Sequence, residues 1–357
     1  FRRVLFRSHR LLEVSGGIED GDSSHFEKNE DNPIEADAVI LDEMSMVDIH
    51  LMYSLLKAIV PGTRLILVGD SNQLPSVGPG NVLKDIIDSK AFSVVRLSKI
   101  YRQAESSHIV LNAHKINAGE LITLDNKNKD FFFFEKKDVR SVMGALVYLV
   151  KTRLPEYIGA SPFEIQVLTP MRKGELGVEH LNEVLQYYLN PASESKKEKE
   201  GRTGVFREGD KVMQVKNNYK LEWKITNAKG FSIEEGLGVF NGDMGIIKQI
   251  NTYSERITVV FDENREAEYP FSSLDELELA YAITIHKSQG SEYPAVVLPL
   301  LSGPPILCNR NLLYTAITRA QKCVAIAGRQ SMVEQMIHNE TEQKRYSGLN
   351  DCLKEGL

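Results

Sequence analysis

Two short, uninterrupted apolar runs constrain the fold of this chain more than any other feature. They are AVIL at residues 38–41 and LILV at residues 65–68. Carboxylates follow both runs, Asp42-Glu43 after the first and Asp70 after the second. Apolar runs without polar alternation are typical of strands buried on both faces of a parallel sheet, and the residues between these two favour a helix. The sequence therefore predicts a strand–helix–strand unit with carboxylates at the edge where open α/β sheets bind ligands.

The alternation of strand and helix signals continues along the chain and is interrupted once. Helices are predicted at residues 82–87, 106–117, 139–150, 178–188, 277–285 and 312–320, and strands at residues 94–97, 163–168, 295–300 and 324–327. Residues 210–271 instead contain short strand-like segments with polar or glycine turns, which predict a small β-barrel. The predicted class is thus α/β with a β insertion.

Composition and charge limit the classes of protein to consider. No apolar run is long enough to cross a membrane, and the three cysteines are spaced for neither zinc nor a disulfide framework. These features predict a cytoplasmic protein in a reducing compartment. The net charge of −6 argues against a broadly basic surface for nucleic acid. A local basic groove is still compatible with it, because binding depends on where charge lies.

The first eight residues, FRRVLFRS, resemble a translated sequencing adapter. We interpret residues 1–8 as a cloning scar without fold information, and the alternative is a basic surface arm. The scar hypothesis implies that the natural protein begins well upstream.

Five polar residues have the chemistry that nucleotide hydrolysis needs. After AVIL, Asp42 could hold Mg²⁺ through water and Glu43 could orient and deprotonate the attacking water. Gln73, in GDSNQLP, could reach a terminal phosphate, and Arg102 and Arg319 could stabilise charge on the phosphoryl oxygens. Taken singly, each of these residues is also typical of a solvated surface position. For each arginine alone, a surface position with its stem packed against the protein is the favoured interpretation.

A further polar segment, TIHKSQGSE at residues 284–292, is dense in small and hydrogen-bonding side chains. Its first half could contact a nucleic-acid backbone through Thr284, His286 and Lys287. Its second half could reach a nucleotide through Gln289, Gly290 and Glu292. A lone histidine here is also typical of a structural hydrogen-bonding residue.

The order of these segments resembles the ordered motifs of superfamily 1 helicases. The matching segments are LDEMSMVD, GDSNQLPSVGPG, LSKIYRQ, AITIHKSQGSE and LLYTAITRA. Within that superfamily, HRLLE at residues 9–13 and VLTPMRKGELGVEHLNEVLQ at residues 167–186 resemble the RecD-like branch. Residues 207–271 resemble its SH3-like insertion.

This resemblance implies two RecA-like motor lobes, each built on a parallel sheet. It places the C-terminal part of a truncated first lobe at residues 9–90. The second lobe is expected at residues 91–206 and 272–357, with the SH3-like β-barrel inserted at residues 207–271.

The resemblance also implies roles for individual residues. Catalytic residues would be Glu43, Gln73, Arg102 and Arg319. Asp42 would hold Mg²⁺, and the residues near ATP would be Asp42, Asp70, Gln289, Gly290 and Glu292. Residues touching the DNA strand would be His9, Arg10, Thr169, Pro170, Thr284 and His286.

One departure from the family pattern concerns the phosphate loop GxxxxGK[ST], which does not occur in the chain. Backbone N–H groups and the lysine of this loop hold the β- and γ-phosphates. Its usual position is upstream of residue 9, so truncation is the simpler explanation. We therefore expect this chain alone to hydrolyse ATP poorly and, with part of a sheet missing, to be poorly soluble.

The implied activity is that of an ATP-dependent DNA helicase, with ATP between the two lobes. It would move on single-stranded DNA, 5′ to 3′, and unwind duplex at single-strand/duplex junctions. The alternatives are a relaxase-fused or RNA-directed helicase, a RecD-type subunit of a nuclease-helicase complex, and a catalytically incomplete module that binds DNA or protein. The presence of Glu43, Gln73, Arg102 and Arg319 argues against the incomplete module.

Overall fold

A computed structural model describes residues 11–12, 26–97, 107–202, 204–227, 231–341 and 345–356. The chain forms two compact units. Residues 1–102 and 341–357 make up the first, and residues 103–340 make up the second. The family resemblance implies that residues 272–357 belong to the second lobe, whereas the last helix belongs to the first unit. Composition does not indicate which body a short terminal helix packs against.

The first unit contains a parallel pair of strands, β1 (Ala38–Leu41) and β2 (Arg64–Leu67). The helix α1 (Ile49–Ala58) connects them and begins at Asp48, whose side chain accepts a hydrogen bond from the N–H of Leu51 at 2.8 Å. Such a cap satisfies one of the unpaired donors at a helix N-terminus. A 3₁₀ turn at Met44–Met46 follows β1. The first unit also contains the helices α2 (Val82–Ser89) and α9 (Leu349–Glu355).

The predicted strand–helix–strand unit is confirmed, but the expected burial of both sheet faces is wrong for the described residues. Val39 and Leu41 point into the core of this unit, whereas Ile40 is 66% exposed and Ile66 is 40% exposed. The described residues cover only one face of the pair. An uninterrupted apolar run specifies strand pairing without specifying what lies on each face.

The second unit is built on a five-stranded, wholly parallel sheet of order β14-β4-β15-β16-β3. Its strands are β3 (Phe131–Glu135), β4 (Ile165–Thr169), β14 (Ala282–Thr284), β15 (Tyr293–Leu300) and β16 (Ala320–Gly328). Every residue of β4 is buried, as expected for a strand covered on both faces. The helices of this unit are α3 (His108–Ala118), α4 (Val139–Tyr148), α5 (Leu154–Ile158), α6 (Val178–Leu189), α7 (Arg310–Thr318) and α8 (Gln330–His338), with a π-helical segment at Leu149–Arg153.

An antiparallel insertion interrupts this α/β framework, as predicted. Its seven-stranded sheet has the order β13-β7-β10-β11-β12-β8-β9. The strands are β7 (Lys211–Gln214), β8 (Asn218–Thr226), β9 (Ser232–Val239), β10 (Met244–Asn251), β11 (Arg256–Phe261), β12 (Glu266–Pro270) and β13 (Leu277–Leu279). A hairpin of β5 (Glu198–Gly201) and β6 (Gly204–Arg207) precedes it. One hydrophobic core runs continuously from the insertion into the parallel sheet.

Two predicted elements are wrong. Residues 277–285, predicted as a helix, form β13 and β14, which pair with the insertion and with β4 respectively. Residues 94–97, predicted as a strand, have no regular structure. Short apolar runs cannot be assigned by periodicity alone, and the pairing partner decides them. Among the described residues, no helix has the length and apolarity needed to cross a membrane.

Candidate nucleotide-binding and nucleic-acid-binding sites

The ends of β1 and β2 are held side by side by backbone contacts. The N–H of Val68 donates to the carbonyl of Leu41 at 2.7 Å, and the N–H of Met44 donates to the carbonyl of Val68 at 3.0 Å. A Cβ at Gly69 would lie 2.9 Å from the Met44 nitrogen, so only glycine allows this approach. The polar residues after both strands therefore lie at one edge of the pair, as the sequence predicts.

Asp42 and Glu43 occupy this edge in an unusual backbone conformation. Glu43 is left-handed, with φ 55° and ψ 39°, and its N–H donates to Oδ1 of Asp42 at 2.8 Å. A left-handed residue other than glycine costs about 1–3 kcal/mol, and such residues cluster at functional sites. Asp42 is exposed and Glu43 is partly exposed, so both side chains can reach a ligand.

Gln73 lies on the neighbouring loop with an unsatisfied acceptor. Its Nε2 donates to Oδ2 of Asp70 at 3.4 Å, and the other carboxylate oxygen of Asp70 accepts from the N–H of Asn72 at 2.9 Å. Oε1 of Gln73 is buried and has no hydrogen-bond partner among the described residues. A buried acceptor left unpaired costs about 1–3 kcal/mol. The site therefore favours a donor at this position, such as a water next to a phosphate.

Arg319 is a buried cation in the second unit. Its side chain follows α7 and is only 4% exposed. One terminal nitrogen donates to the carbonyl of Ser291 at 3.3 Å, and Nε has no partner among the described residues. No ion pair to Arg319 occurs in the described part of the chain. A buried charge without a counter-ion costs several kcal/mol, so the surroundings of Arg319 favour an anion.

The structure brings Arg319 together with the second half of the TIHKSQGSE segment. Ser291, which accepts from Arg319, lies between Gly290 and Glu292. Gly290 has φ +72°, a conformation that favours glycine, and Gln289 is buried. Glu292 is exposed and accepts from Nε2 of Gln321 at 3.1 Å. This segment can thus form the wall of an anion site around Arg319.

The described residues predicted to contact DNA, Thr169, Pro170, Thr284 and His286, lie at or just after the ends of two adjacent parallel strands. Thr284 of β14 is in register with Thr169 of β4. Thr169 is fully buried, and its hydroxyl donates to the carbonyl of Leu176 at 2.7 Å. Pro170 is buried as well. These two residues therefore shape the loop after β4, and in this conformation they offer no side chain to a DNA strand, unlike the expectation from sequence.

Thr284 and His286 are more accessible. The hydroxyl of Thr284 accepts from the N–H of Lys287 at 3.3 Å and is partly exposed. His286 reaches solvent, but the surrounding chain desolvates its imidazole and lowers its pKa. The ring is therefore neutral at pH 7 and can donate one hydrogen bond and accept another.

A cluster of charged side chains lies beside Thr284, and the sequence indicated only one of its members, Lys287. Glu278 accepts from Arg172 at 2.7 Å and from Nζ of Lys287 at 2.9 Å, and all three line a shallow pocket with Thr284. Burial alone would raise the pKa of Glu278, but hydrogen bonds from Lys287 and Arg172 keep it below its ordinary value. Nε of Arg172 also donates to Glu179 at 3.3 Å, so the two cations of this cluster are balanced by two carboxylates. Lys287 was identified from sequence, whereas nothing in the sequence indicates that Glu278 joins it to Arg172.

Three predicted site residues, His9, Arg10 and Arg102, lie outside the described residues. In the described ranges, no group of three or more histidine, cysteine, aspartate or glutamate side chains converges as a metal site. The exposed carboxylate of Asp42 has the oxygen chemistry that Mg²⁺ prefers, and this ion commonly takes its other ligands from phosphate and water.

Three protein families match successive parts of the chain. Residues 9–131 match the AAA domain, residues 181–261 the SH3 domain of ATP-dependent RecD-like DNA helicases, and residues 279–327 the UvrD-like helicase C-terminal domain. The order of the three matches follows the order of the two units and the insertion.

Curated relatives and solved structures agree with these matches. The ATP-dependent RecD2 DNA helicase of Deinococcus radiodurans is 35% identical over 85% of this chain and 38% of its own length. The RecBCD enzyme subunit RecD of Mycolicibacterium smegmatis is 30% identical over 97% of this chain and 58% of its own length. A crystal structure of Pif1 helicase from Bacteroides, in complex with ADP-AlF3 and ssDNA, has a TM-score of 0.50 and 19% identity, covering 92% of this chain and 80% of that one.

The chain thus spans between about two fifths and three fifths of the length of these curated relatives. The solved structure supports the fold, and the ordered family matches support the RecD-like branch predicted from the motifs. On these grounds, the chain belongs to the RecD-like family of superfamily 1 helicases.

Proposed function

We propose that the protein containing this chain hydrolyses ATP to move along single-stranded DNA and to unwind duplex at junctions. The observation that carries the proposal is Arg319, a buried guanidinium that has no counter-ion among the described residues. A transferring phosphoryl group is an anion that such a group can stabilise without reorganisation.

The residues of the first unit supply the complementary chemistry. Glu43 takes a proton from the attacking water while the water oxygen bonds to the γ-phosphorus. The bond from that phosphorus to the bridging oxygen breaks, and ADP leaves. Gln73, with its unpaired Oε1, orients the water, and Mg²⁺ held through Asp42 would neutralise phosphate charge. Asp70 would assist by fixing the turn that carries Gln73. Arg102 would add a second positive charge, as the family resemblance implies.

The second unit supplies the surface for DNA. Thr284, His286 and the cations held by Glu278 lie at the end of β14 and can contact phosphates of a single strand. Contacts of this kind depend little on base sequence. Movement 5′ to 3′ is proposed from the family resemblance, and His9 and Arg10 would extend the contact. Thr169 and Pro170 would act by holding the loop.

A second candidate is a RecD-type subunit that acts within a nuclease-helicase complex. The relatives that carry the name RecBCD enzyme subunit RecD favour it. Both candidates use the same hydrolytic residues and differ in whether partner subunits are needed for turnover.

The test begins with recovery of the full reading frame from the source DNA. ATPase stimulated by single-stranded DNA is then measured for the full protein, for Glu43→Gln and for the control Glu35→Gln, an exposed glutamate of the same unit. We expect Glu43→Gln to lose turnover by about 10²-fold or more and Glu35→Gln to retain it. Turnover that ignores Glu43 would favour a non-catalytic DNA-binding module.

A further inference from the structure

The C-terminal segment of the first unit packs onto the loop that follows Gln73. We propose that Arg345 is a positioning residue for hydrolysis, which holds the loop at residues 76–80 so that Gln73 faces the γ-phosphate. This inference rests on the proposed function of Gln73 and adds a residue that no motif of the sequence analysis contains.

The guanidinium of Arg345 makes four hydrogen bonds to this loop. Its donors reach Oγ of Ser76 at 3.2 Å, the carbonyl of Ser76 at 2.5 Å, and the carbonyls of Gly78 and Gly80 at 2.5 and 2.8 Å. Only arginine offers several donors in a fixed planar fork. Ser76 and Gly80 are buried, and a buried carbonyl without a donor is costly. Arg345 therefore fixes the path of the loop.

The opposite side of the loop is equally confined. A Cβ at Gly78 would lie 1.9 Å from a carboxylate oxygen of Asp48, the residue that caps α1. The N–H of Ile49 donates to the carbonyl of Pro79 at 3.0 Å. The loop is thus held between the start of α1 and Arg345.

Gln73 depends on this loop for its own position. Leu74 is buried, and only Pro75 separates it from Ser76. Within the described ranges, the Gln73 side chain has one hydrogen bond, which is long, at 3.4 Å to Asp70. Because that contact is weak, the backbone on the C-terminal side of Gln73 sets the direction of its carboxamide.

Arg345 is itself anchored by the helix that follows it. The hydroxyl of Ser347 donates to Oδ2 of Asp85 at 2.8 Å, and Nδ2 of Asn350 donates to the carbonyl of Asp85 at 3.2 Å. Leu349 packs against the core of the first unit. These contacts fix the terminal segment on α2, so the backbone that carries the Arg345 guanidinium is held in place.

The experiment is a double-mutant cycle in the full-length protein that contains this chain. ATPase with single-stranded DNA is measured for Gln73→Ala, Arg345→Gln and the double variant, with Lys354→Gln as a control that removes an exposed charge from α9, the helix that follows Arg345. We expect Arg345→Gln to lower kcat about 10- to 100-fold with little change in KM for ATP, because a displacement of about 1 Å can have an effect of this size. In the Gln73→Ala background, Arg345→Gln should have little further effect.

Two milder variants test the positioning role of Arg345 should Arg345→Gln fail to fold. Arg345→Lys, which has donors but no planar fork, should lose kcat several-fold, and Ser347→Ala combined with Asn350→Ala should lose less. Multiplicative effects in the cycle, or an unchanged kcat in Arg345→Lys, would overturn the positioning role. If Glu43→Gln retains turnover, the proposed function has failed. If Glu43→Gln is inactive while Arg345→Lys is fully active, only the role of Arg345 has failed.

Discussion

The parallel strands of the two units have similar sequences and different surroundings. In β15 of the second unit every residue except Pro294 is buried, whereas β1 of the first unit alternates between exposed and buried residues. Both sheets nevertheless place polar residues of the candidate sites at the carboxyl ends of neighbouring strands. Thr169 and Thr284 end adjacent strands in one unit, and Asp42 and Asp70 follow adjacent strands in the other. Parallel pairing therefore positions a site even where one face of the sheet is uncovered.

The two regions also differ in how they bury polar groups. The described site of the first unit relies on a strained backbone at Glu43 and on partly exposed side chains. The second unit buries charge. Lys211 is buried and donates to the carbonyl of Phe163 at 2.6 Å and to Oε1 of Gln166 at 2.8 Å. Burial lowers the pKa of Lys211, so the stability of the second unit depends on pH through this group.

The largest expected effect concerns Arg319. The variant Arg319→Met should lower DNA-stimulated ATP turnover by about 10³-fold or more, as loss of a phosphate-facing arginine does. Its folding stability should stay unchanged or rise by about 1 kcal/mol, because methionine removes a buried charge that has no counter-ion in the described part of the chain. ATPase and thermal unfolding measure the two effects.

The control for this prediction is Arg140→Met, which replaces an exposed arginine of the same unit and should leave both quantities unchanged. A stabilised Arg319→Met that retains turnover would show that Arg319 is only a poorly paired core residue.

The second prediction tests the difference in sheet burial directly. Leu298→Ala in β15 should reduce the free energy of unfolding by about 2–5 kcal/mol, because Leu298 is fully buried. Ile40→Ala in β1 should reduce the free energy of unfolding by about 0.5 kcal/mol or less, because Ile40 is 66% exposed. Denaturation followed by fluorescence of Trp223, the single tryptophan, reports on the second unit, and hydrogen exchange of β1 reports on the first.

The same pair of variants can be compared in the full-length protein. Should the cost of Ile40→Ala rise there towards that of Leu298→Ala, further chain covers the exposed face of β1. Equal costs already in this chain would contradict the difference between the two sheets.

The smallest effect is a pH dependence of the second unit. Burial lowers the pKa of Lys211 to about 7 in the folded state, against an ordinary value of 10.5. Between these values the unfolded chain binds the proton more tightly, so the stability of the folded unit rises as the pH increases through this window. From pH 7 to 8.5, Lys211 should contribute a rise of up to about 2 kcal/mol. Urea unfolding at several pH values measures it.

The variant Lys211→Met should flatten this rise, whereas Lys220→Met, at an exposed position of the same insertion, should leave it intact. An equal slope in wild type and Lys211→Met would mean that water reaches the Lys211 ammonium.

Much of the fold follows from local patterns. AVIL and LILV predicted the parallel pair in the first unit, and short strands with polar turns predicted the insertion, because hydrophobic runs and turn residues are local signals. The segment at residues 277–285 was assigned wrongly, since its two short strands are formed by partners far away in sequence, β7 and β4.

The candidate sites divide in the same way. Asp42, Glu43, Gln73 and Arg319 could be named from sequence, because their motifs occur in a fixed order along the chain. The burial of Thr169 and Pro170, the link from Arg172 through Glu278 to Lys287, and the contact of Arg345 with residues 76–80 could not. Each of these depends on residues that are distant in sequence.

The sequence by itself determined many of the strands, the order of the motifs, the side chains available for hydrolysis and the membership of the RecD-like family. Only the tertiary structure decided which strands pair with β13 and β14, which sheet face is covered, and which arginine holds the loop after Gln73. It also decided which buried guanidinium has no counter-ion among the described residues. The physical reason is that strand propensity and side-chain chemistry are local properties, whereas strand pairing, burial and hydrogen-bond satisfaction depend on every segment that packs around a residue.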